Sequence, residues 1–123
     1  MWQIETTDDF DDWFAALDED GQVEIMAKVE LLKFLGPRLG RPHADTLKDS
    51  KHANMKELRA NTAVAVLRVA FAFDPKRTAL LLVAGNKAGV GQRRFYKQLI
   101  AQADELFDAH LAHLKAQEPR KEN

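Results

Sequence analysis

A single arginine lies in the middle of a predicted strand, where a charged side chain needs a physical reason. The run Val64–Phe73 is rich in β-branched and aromatic residues, and its odd positions carry the larger apolar side chains, which should face the core. The even positions are small apart from Arg68, namely Val64, Val66, Ala70 and Ala72. A mid-strand charge is disfavoured unless a partner neutralises it or its face is open to solvent. Arg68 is therefore a candidate anion-binding residue, and the alternative is an arginine that pairs with an acid or reaches the sheet edge.

A lysine on the following strand is predicted to share the face of Arg68. If Phe73 pairs with Thr78 across a short turn, Arg68 lies opposite Val83. The alternation of side chains along a strand then places Lys87 on the same face as Arg68. The other residues of this face on the second strand are Leu81, Val83 and Gly85. Two cations on one face could offset the negative charge that develops on a phosphate during its transfer.

Cations also cluster at the start of the last predicted helix, residues 92–116, where acidic residues are usual. Arg93, Arg94 and Lys97 lie in its first turns, where the helix dipole disfavours each cation by about 0.3–1 kcal/mol. Backbone N–H groups at that end attract phosphate, so the three cations indicate anion binding, with surface solubility as the alternative. Tyr96 lies within the cluster. Nearby glycines, which would let a ligand approach the backbone, are Gly85, Gly89 and Gly91.

The histidines give weaker signals. His110 and His113 have helical metal-ligand spacing, but no third ligand is evident, and we expect no metal site and no cofactor. His43 and His52 lie in a basic segment and could protonate a leaving group near neutral pH, whereas the simpler interpretation is an exposed loop histidine. The basic residues of that segment are Arg38, Arg41, Lys48 and Lys51.

Seven elements must position these residues. Alternation at residues 2–5 predicts a strand, and a helix capped by Thr6 or Thr7 follows, with Phe10, Trp13, Phe14 and Leu17 on one face. A second helix ends at Gly36-Pro37, so the two helices should form an antiparallel hairpin. Residues 36–54 are predicted to be a long loop, before strands at 55–59, 64–73 and 78–87. The order β-α-α-β-β-β-α predicts an α+β fold, an antiparallel sheet packed by the N-terminal helical hairpin and the C-terminal helix.

Length and composition favour one globular domain. The chain has 123 residues, of which 46% are hydrophobic and 30% charged. We expect one domain over residues 1–116 and a polar tail over 117–123. No cysteine is present, which excludes disulfides and thiolate metal sites. No apolar run approaches the roughly 20 residues that cross a bilayer, and the N-terminus lacks a signal-peptide pattern, so we expect a cytoplasmic protein.

The net charge of −1 conceals a strong separation of charge along the chain. Residues 1–24 contain nine acidic side chains and no basic one. Residues 33–97 contain fourteen Lys and Arg against four acids, a balance of +10. Such a separation is informative about binding partners rather than about fold, and it is compatible with a surface that binds nucleic acid. A solvated acidic helix beside a mildly basic sheet is the alternative.

The ordered set of features resembles the RelE/ParE superfamily of toxins from type II toxin–antitoxin systems, in its HigB-like, phage-derived Gp49-like branch. The resemblance covers roughly residues 1–114. It depends on the element order, the Gly-Pro-containing connection, Glu57-Leu58-Arg59, Leu67-Arg68-Val69, and Leu80–Lys87 followed by the basic helix start. The resemblance implies a RelE-like sheet with a concave basic face that enters the ribosomal A site and cleaves mRNA, as a metal-independent endoribonuclease.

The resemblance also implies site residues by position. Catalytic roles fall on Arg68, Lys87 and Tyr96, and RNA-binding roles fall on Lys48, Lys51, Arg59, Arg93, Arg94 and Lys97. Many relatives have adjacent lysines after the last strand or a late histidine, whereas here Ala88 follows Lys87 and no histidine follows until His110. These departures favour a mechanism in which Arg68 and Lys87 offset charge on the scissile phosphate while the RNA 2′-hydroxyl attacks.

The partners implied by the resemblance are a cognate antitoxin of the helix-turn-helix type, the ribosome and mRNA, with no membrane. A ParE-like toxin that binds DNA gyrase and has no nuclease chemistry is one alternative. A degenerate domain that only binds an antitoxin or regulatory partner is another. The two predicted strand cations and the cations at the helix start favour the nuclease. The oligomeric state is left open by the sequence.

Overall fold

The computed structural model describes residues 1–119 of the chain, and the observed order of elements agrees with the predicted α+β fold. The strands are β1 (Gln3–Thr6), β2 (Ala44–Thr46), β3 (Met55–Asn61), β4 (Val66–Phe73) and β5 (Thr78–Asn86). The α-helices are α1 (Asp8–Ala15), α2 (Glu19–Leu35) and α3 (Gln92–Ala116), and a 3-10 turn at Gly36–Arg38 follows α2. The division into a domain at 1–116 and a tail at 117–123 stays a prediction, and residues 120–123 of that tail lie outside the described residues.

The five strands form one sheet in the order β1-β5-β4-β3-β2. All neighbouring pairs are antiparallel except β1 and β5, which run parallel. Several elements separate β1 from β5 in the chain, and such a long connection permits parallel pairing, which a tight hairpin does not. The short β2 lies within the segment predicted to be a loop and pairs Ala44 with Leu58 of β3. It therefore extends the sheet next to the strand that carries Glu57 and Arg59.

The predicted helical hairpin is present, and side chains cap both of its helices. Thr7, rather than Thr6, caps α1, because its hydroxyl accepts a hydrogen bond from the N–H of Phe10 at 3.1 Å. Asp18 caps α2 by accepting from the N–H of Gly21 at 2.8 Å. At the other end of α2, Gly36 has a φ of 55°, which explains why a glycine stops the helix there.

The helical hairpin packs on one face of the sheet. Ile25 and Leu32 of α2 are fully buried, and Phe10 of α1 is 5% exposed. They form one apolar cluster with odd-numbered residues of β4, namely Leu67, Val69 and Phe71. The odd-numbered side chains of β4 therefore face the core, as their size predicts, and burial of this many apolar groups is the main favourable term in folding.

The other face of the sheet is covered by α3, a helix that the sequence predicted to pack on the sheet without assigning its face. Ala70 and Ala72 of β4 are fully buried there, in a cluster with large apolar residues of α3: Phe95, Leu99, Ile100 and Phe107. The small strand side chains make room for these large ones, so α3 closes most of the face that carries Arg68. α3 is the longest helix at 25 residues, but within residues 1–119 no helix is both long and apolar enough to cross a membrane.

A bulge changes the predicted register of β4 and β5. Arg68 pairs with Gly85 rather than Val83, and Phe73 pairs with Ala79 rather than Thr78. The register shifts between Ala70 and Phe71, where β5 contains one extra residue. That extra residue returns Leu81 to the core face, in the apolar cluster that includes residues of α1 and α2, while Val83 and Gly85 stay on the face of Arg68. The sequence pattern alone gave no sign of this bulge.

Candidate functional site

An open groove of about 1150 Å³ runs between α3, β3 and the segment around β2. Cations line it from all three directions, and they are Arg41, Lys48, Arg59, Lys87, Arg93 and Lys97. The remaining lining residues include Glu57, Tyr96, Leu47, Ile100 and the acids Asp45, Asp49 and Asp104. The groove lies on the α3 side of the sheet, so it combines a cationic rim with an aromatic ring and a carboxylate.

The carboxylate of Glu57 lies at the centre of the polar contacts in the groove. Glu57 is only 4% exposed, because β4 and α3 cover it, and a buried carboxylate requires partners. Its Oε1 accepts a hydrogen bond from the Tyr96 hydroxyl at 2.8 Å, and its Oε2 accepts from Arg59 Nη1 at 3.2 Å. Arg68 Nε lies 3.7 Å from Oε1. The carboxylate of Glu57 thus contacts Tyr96, Arg59 and Arg68, three residues that were each predicted to belong to the site but not to share a partner.

Arg68 lies beneath the groove rather than on its surface. It is 2% exposed, and its Nη1 donates to Asn61 Oδ1 at 2.9 Å and to the Leu67 carbonyl oxygen at 2.8 Å. The ion pair with Glu57 matches the alternative interpretation, in which this arginine has an acidic partner inside the fold. Its Nε makes no hydrogen bond and is fully buried. Direct contact between Arg68 and a substrate phosphate is therefore not part of this arrangement, since Arg68 is buried and does not line the groove.

Lys87 lies on the rim of the groove, close to the other cations. Its ammonium nitrogen is 5.4 Å from the centre of the Tyr96 ring, within the range of a cation–π contact. Burial lowers the pKa of Lys87, and repulsion from Arg68 and Arg59 lowers it further. A lysine with a lowered pKa gives up its proton more readily, which suits a general acid.

The hydroxyl of Tyr96 is oriented so that it can donate one hydrogen bond and accept another at the same time. Burial raises the pKa of Tyr96, and its hydrogen bond to Glu57 adds to this, so the phenol stays protonated at neutral pH. Its single proton points to Glu57, which leaves the oxygen lone pairs available to a ligand in the groove.

The cations at the start of α3 separate into two groups. Arg93 and Lys97 line the groove, whereas Arg94 is exposed outside its lining. Among residues 1–119 no side chain caps this end of the helix, so its first N–H groups have no side-chain acceptor there. Gly85 does not serve a ligand as expected, because a Cβ there would come within 3.0 Å of the Phe95 ring. Its role is to let Phe95 pack against β5.

The segment after β2 is fixed to α3 by two aspartates. Asp104 accepts from the Ser50 hydroxyl at 2.5 Å and from the Lys51 N–H at 3.2 Å. Asp108 contacts the Lys51 ammonium and accepts from His52 Nε2 at 2.8 Å. These contacts lower the pKa of Asp108 and raise the pKa of Lys51. Lys48 lines the groove, but Lys51 is engaged by Asp108 and lies outside the lining.

Of the remaining histidines, two contact a side chain of another element and one is exposed. His110 Nε2 lies 2.9 Å from the buried Asp74, and His43 lies 2.7 Å from the Lys28 ammonium. His113 is exposed. Within residues 1–119 no group of three or more His, Cys, Asp or Glu side chains is placed to hold a metal ion. His110 and His52 thus tie α3 to the rest of the fold.

Glu57 was not among the site residues predicted from the sequence, although Glu57-Leu58-Arg59 was one of the motifs that carried the family resemblance. The available signal was that residues 33–97 contain only four acids, so an acid beside Arg59 in a strand stood out. Asp104 and Asp108, which are spaced to face one side of α3, were also not predicted. The contact of Glu57 with Tyr96 and that of Asp104 with Ser50 could not be inferred from spacing, because they join residues 39 and 54 positions apart in the chain.

Comparisons with known proteins agree with this structure. The family model described as phage-derived protein Gp49-like (DUF891) matches residues 12–108. The putative toxin HigB2 of Mycobacterium tuberculosis (strain H37Rv) is 42% identical over 110 residues, which are 89% of this chain and 54% of that protein. The putative toxin HigB3 of the same strain is 45% identical over 101 residues, 81% of this chain and 85% of that protein. The chain thus spans about half the length of the first of these relatives.

One solved structure supports the fold. A mutant of the Escherichia coli toxin RelE in the free state superimposes with a TM-score of 0.61 over 85% of this chain and 95% of that one. The sequence identity is 8%, so this likeness concerns the fold alone.

Proposed function

Because the chain belongs to the phage-derived Gp49-like family (DUF891), we propose that it is the toxin of a type II toxin–antitoxin pair and cleaves mRNA on the ribosome. The names of the relatives HigB2 and HigB3 support the toxin assignment. The observation that carries the nuclease assignment is the groove itself, where cations surround the Tyr96–Glu57 hydrogen bond. A surface that only binds a partner protein has no need of this arrangement.

The groove has the chemistry to hold a single RNA strand. Arg59, Arg93 and Lys97 can contact phosphates along the groove, since such contacts supply most of the affinity for nucleic acid. The half-buried ring of Tyr96, which lines the groove, offers a surface for an unstacked base. Recognition through phosphates and stacking is tolerant of sequence, and it suits an enzyme whose substrate is positioned by the ribosome.

The reaction that this arrangement supports is attack of the RNA 2′-hydroxyl on the adjacent phosphorus. Arg59 and Lys87 lie where they can offset the charge of the phosphorane, because both reach the groove. Lys87 can protonate the departing 5′-oxygen, in keeping with its lowered pKa. Arg68 acts from below as a positioning residue, since it neutralises Glu57 and does not reach the groove.

The proposed partners are a cognate antitoxin, of the helix-turn-helix type by the resemblance, and the ribosome with its mRNA. An antitoxin that lays an acidic or apolar segment into the groove would block the cationic residues, which explains how it would suppress toxicity. A gyrase-binding toxin of the ParE kind is the competing assignment, and the experiment below separates the two.

The test is to map RNA ends in cells after induction of the wild-type protein and of Lys87→Ala. Cuts in mRNA phased with the reading frame are expected for the wild type, and about 100-fold fewer for Lys87→Ala because it lacks the general acid. Lys76→Ala is the matched control, since Lys76 is exposed in the β4–β5 turn, outside the groove lining, and should keep full toxicity. A DNA-damage response without RNA cuts would replace the proposal with gyrase binding, and neither response would indicate a degenerate domain.

A further inference from the structure

We propose that Glu57 accepts the proton of the attacking 2′-hydroxyl, and that it receives this proton through the hydroxyl of Tyr96. The inference rests on the proposed function and assigns the base of the same site. Two observations lead to it: the buried carboxylate is bonded to a tyrosine that faces the groove, and none of the cations around it can act as a base while protonated. Among the groove-lining residues, Glu57 is the carboxylate bonded to that tyrosine.

The geometry makes Tyr96 a relay rather than a base. Its hydroxyl donates to Glu57 Oε1 at 2.8 Å, so its own proton already lies on the path to the carboxylate. A substrate hydroxyl in the groove can donate to the phenol oxygen as that proton moves to Glu57. Tyr96 never carries a full negative charge in this sequence, which matters because burial and Glu57 both oppose its ionisation.

The step balances in protons and electrons. The 2′-hydroxyl proton passes to Tyr96 Oη, the Tyr96 proton passes to Glu57 Oε1, and the 2′-oxygen forms a bond to phosphorus. The bond between phosphorus and the 5′-oxygen breaks, and that oxygen takes a proton from the Lys87 ammonium. The products are a 2′,3′-cyclic phosphate and a 5′-hydroxyl end. Exchange with water then returns Glu57 to the carboxylate and Lys87 to the ammonium.

The arginines give Glu57 a second effect on the reaction. While it is anionic, Glu57 accepts from Arg59 at 3.2 Å and lies 3.7 Å from Arg68 Nε, a buried nitrogen that has no hydrogen-bond partner in the part of the chain that the structure describes. Protonation of Glu57 removes the charge that holds Arg59 at the wall of the groove. The guanidinium of Arg59 is then free to interact with the phosphorane at the moment when negative charge on phosphorus is greatest. Glu57 acts through Tyr96 and Arg59, so it is a positioning residue rather than one that touches RNA.

The experiment is single-turnover cleavage of mRNA bound to purified ribosomes, with ribosome affinity measured separately. Glu57→Gln keeps one acceptor oxygen, which can face Tyr96, but it takes up no proton, so we expect cleavage at least about 100-fold slower with affinity changed less than about threefold. Glu57→Asp, which restores a carboxylate, should cleave about tenfold faster than Glu57→Gln. Glu105→Gln, an exposed residue of α3 outside the groove lining, is the matched control and should behave as wild type.

Tyr96→Phe is a second test of the relay, and it remains informative if Glu57→Gln does not fold. We expect the cleavage rate of Tyr96→Phe to fall as much as that of Glu57→Gln. The double variant should be no slower than either single variant, because both substitutions interrupt one proton path. The relay would be overturned if Glu57→Gln or Tyr96→Phe cleaved at a rate within about tenfold of wild type. It would also be overturned if the fold-reductions of the two single variants multiplied in the double variant. A wild-type protein that cuts no mRNA on ribosomes would instead overturn the proposed function, so the two failures are distinguishable.

Discussion

At the scale of single residues, burial changes the meaning of Arg68. Its position in a strand of small residues suggested a surface cation, but the structure pairs it with Glu57, Asn61 and the Leu67 carbonyl. A buried ion pair contributes little net stability, yet the removal of one partner leaves an uncompensated buried charge. Loss of activity in an Arg68 variant therefore has two possible origins, and stability must be measured alongside toxicity.

Arg68→Ala should lower the free energy of unfolding by about 3 kcal/mol, because Glu57 loses its buried counter-charge and Asn61 loses its donor. Chemical denaturation monitored by circular dichroism measures this change. Lys76→Ala is a suitable control, since Lys76 is exposed in the β4–β5 turn. An Arg68→Ala protein as stable as wild type would show that Glu57 is neutralised without this arginine.

At the scale of elements, the segment from Leu47 to Asn54 is held in place by one side of α3. Asp104 and Asp108 accept hydrogen bonds from Ser50 and His52, and this fixes the wall of the groove that carries Lys48. The ion pair with Lys51 is exposed, so its contribution is small and sensitive to salt. The segment is thus ordered by contacts with α3 more than by its own backbone pairing.

Asp108→Asn should speed amide hydrogen exchange in residues 48–53 and leave the sheet unchanged. The pKa of Asp108 is below its ordinary value of 3.8, so its contribution is present above that value and is lost as the pH falls through the lower folded value. The protection factors of this segment, which are corrected for the intrinsic pH dependence of amide exchange, should therefore fall on acidification in the wild type and depend less on pH in Asp108→Asn. Equal exchange in both proteins at neutral pH would show that Asp104 alone fixes the segment.

The first turns of α3 provide a second prediction at this scale. Arg93 and Lys97 line the groove, and the neighbouring Arg94, which does not, serves as a control for the loss of one positive charge. Arg93→Gln with Lys97→Gln should flatten the dependence of log affinity for ribosomes on log salt by about 1.4, the value for two phosphates of a single strand. Arg94→Gln should change the slope less, since Arg94 lies outside the groove lining. Equal effects of all three substitutions would mean that RNA contacts extend beyond the groove.

At the scale of the whole molecule, the separation of charge follows the two faces of the sheet. The acidic α1 packs on one face through Phe10, whereas the groove and α3 lie on the other. A polyanion that approaches the protein is therefore attracted to one side and repelled from the other, which orients it before contact. The net charge of −1 gives no hint of this, because it averages over both faces.

Neutralising the acids of α1 should leave the function of the groove intact. The triple change Asp8→Asn, Asp11→Asn and Asp12→Asn should leave ribosome affinity unchanged or slightly tighter, because these exposed charges lie on the side away from the groove. Pelleting of the protein with ribosomes across a salt series measures this. Binding abolished by the triple change would make α1 the contact surface and would indicate a basic protein partner.

The sequence by itself determined the elements and the side chains that each presents. Apolar spacing in α1 and the large odd-numbered residues of β4 predicted the face that packs against α2, and the cations of the groove were nearly all named from their positions. These properties are local, because the period of a helix or a strand is set by the backbone of a few neighbouring residues.

Only the tertiary structure decided which of these side chains meet. α3 covers the face around Arg68, a bulge in β5 shifts the register, and Glu57 meets Tyr96 across 39 positions of the chain. No local period encodes these events, since each depends on how separate elements pack and where a ladder gains one residue. The burial that turns Arg68 from a surface cation into the counter-charge of Glu57 is a property of that packing, and so is the site it supports.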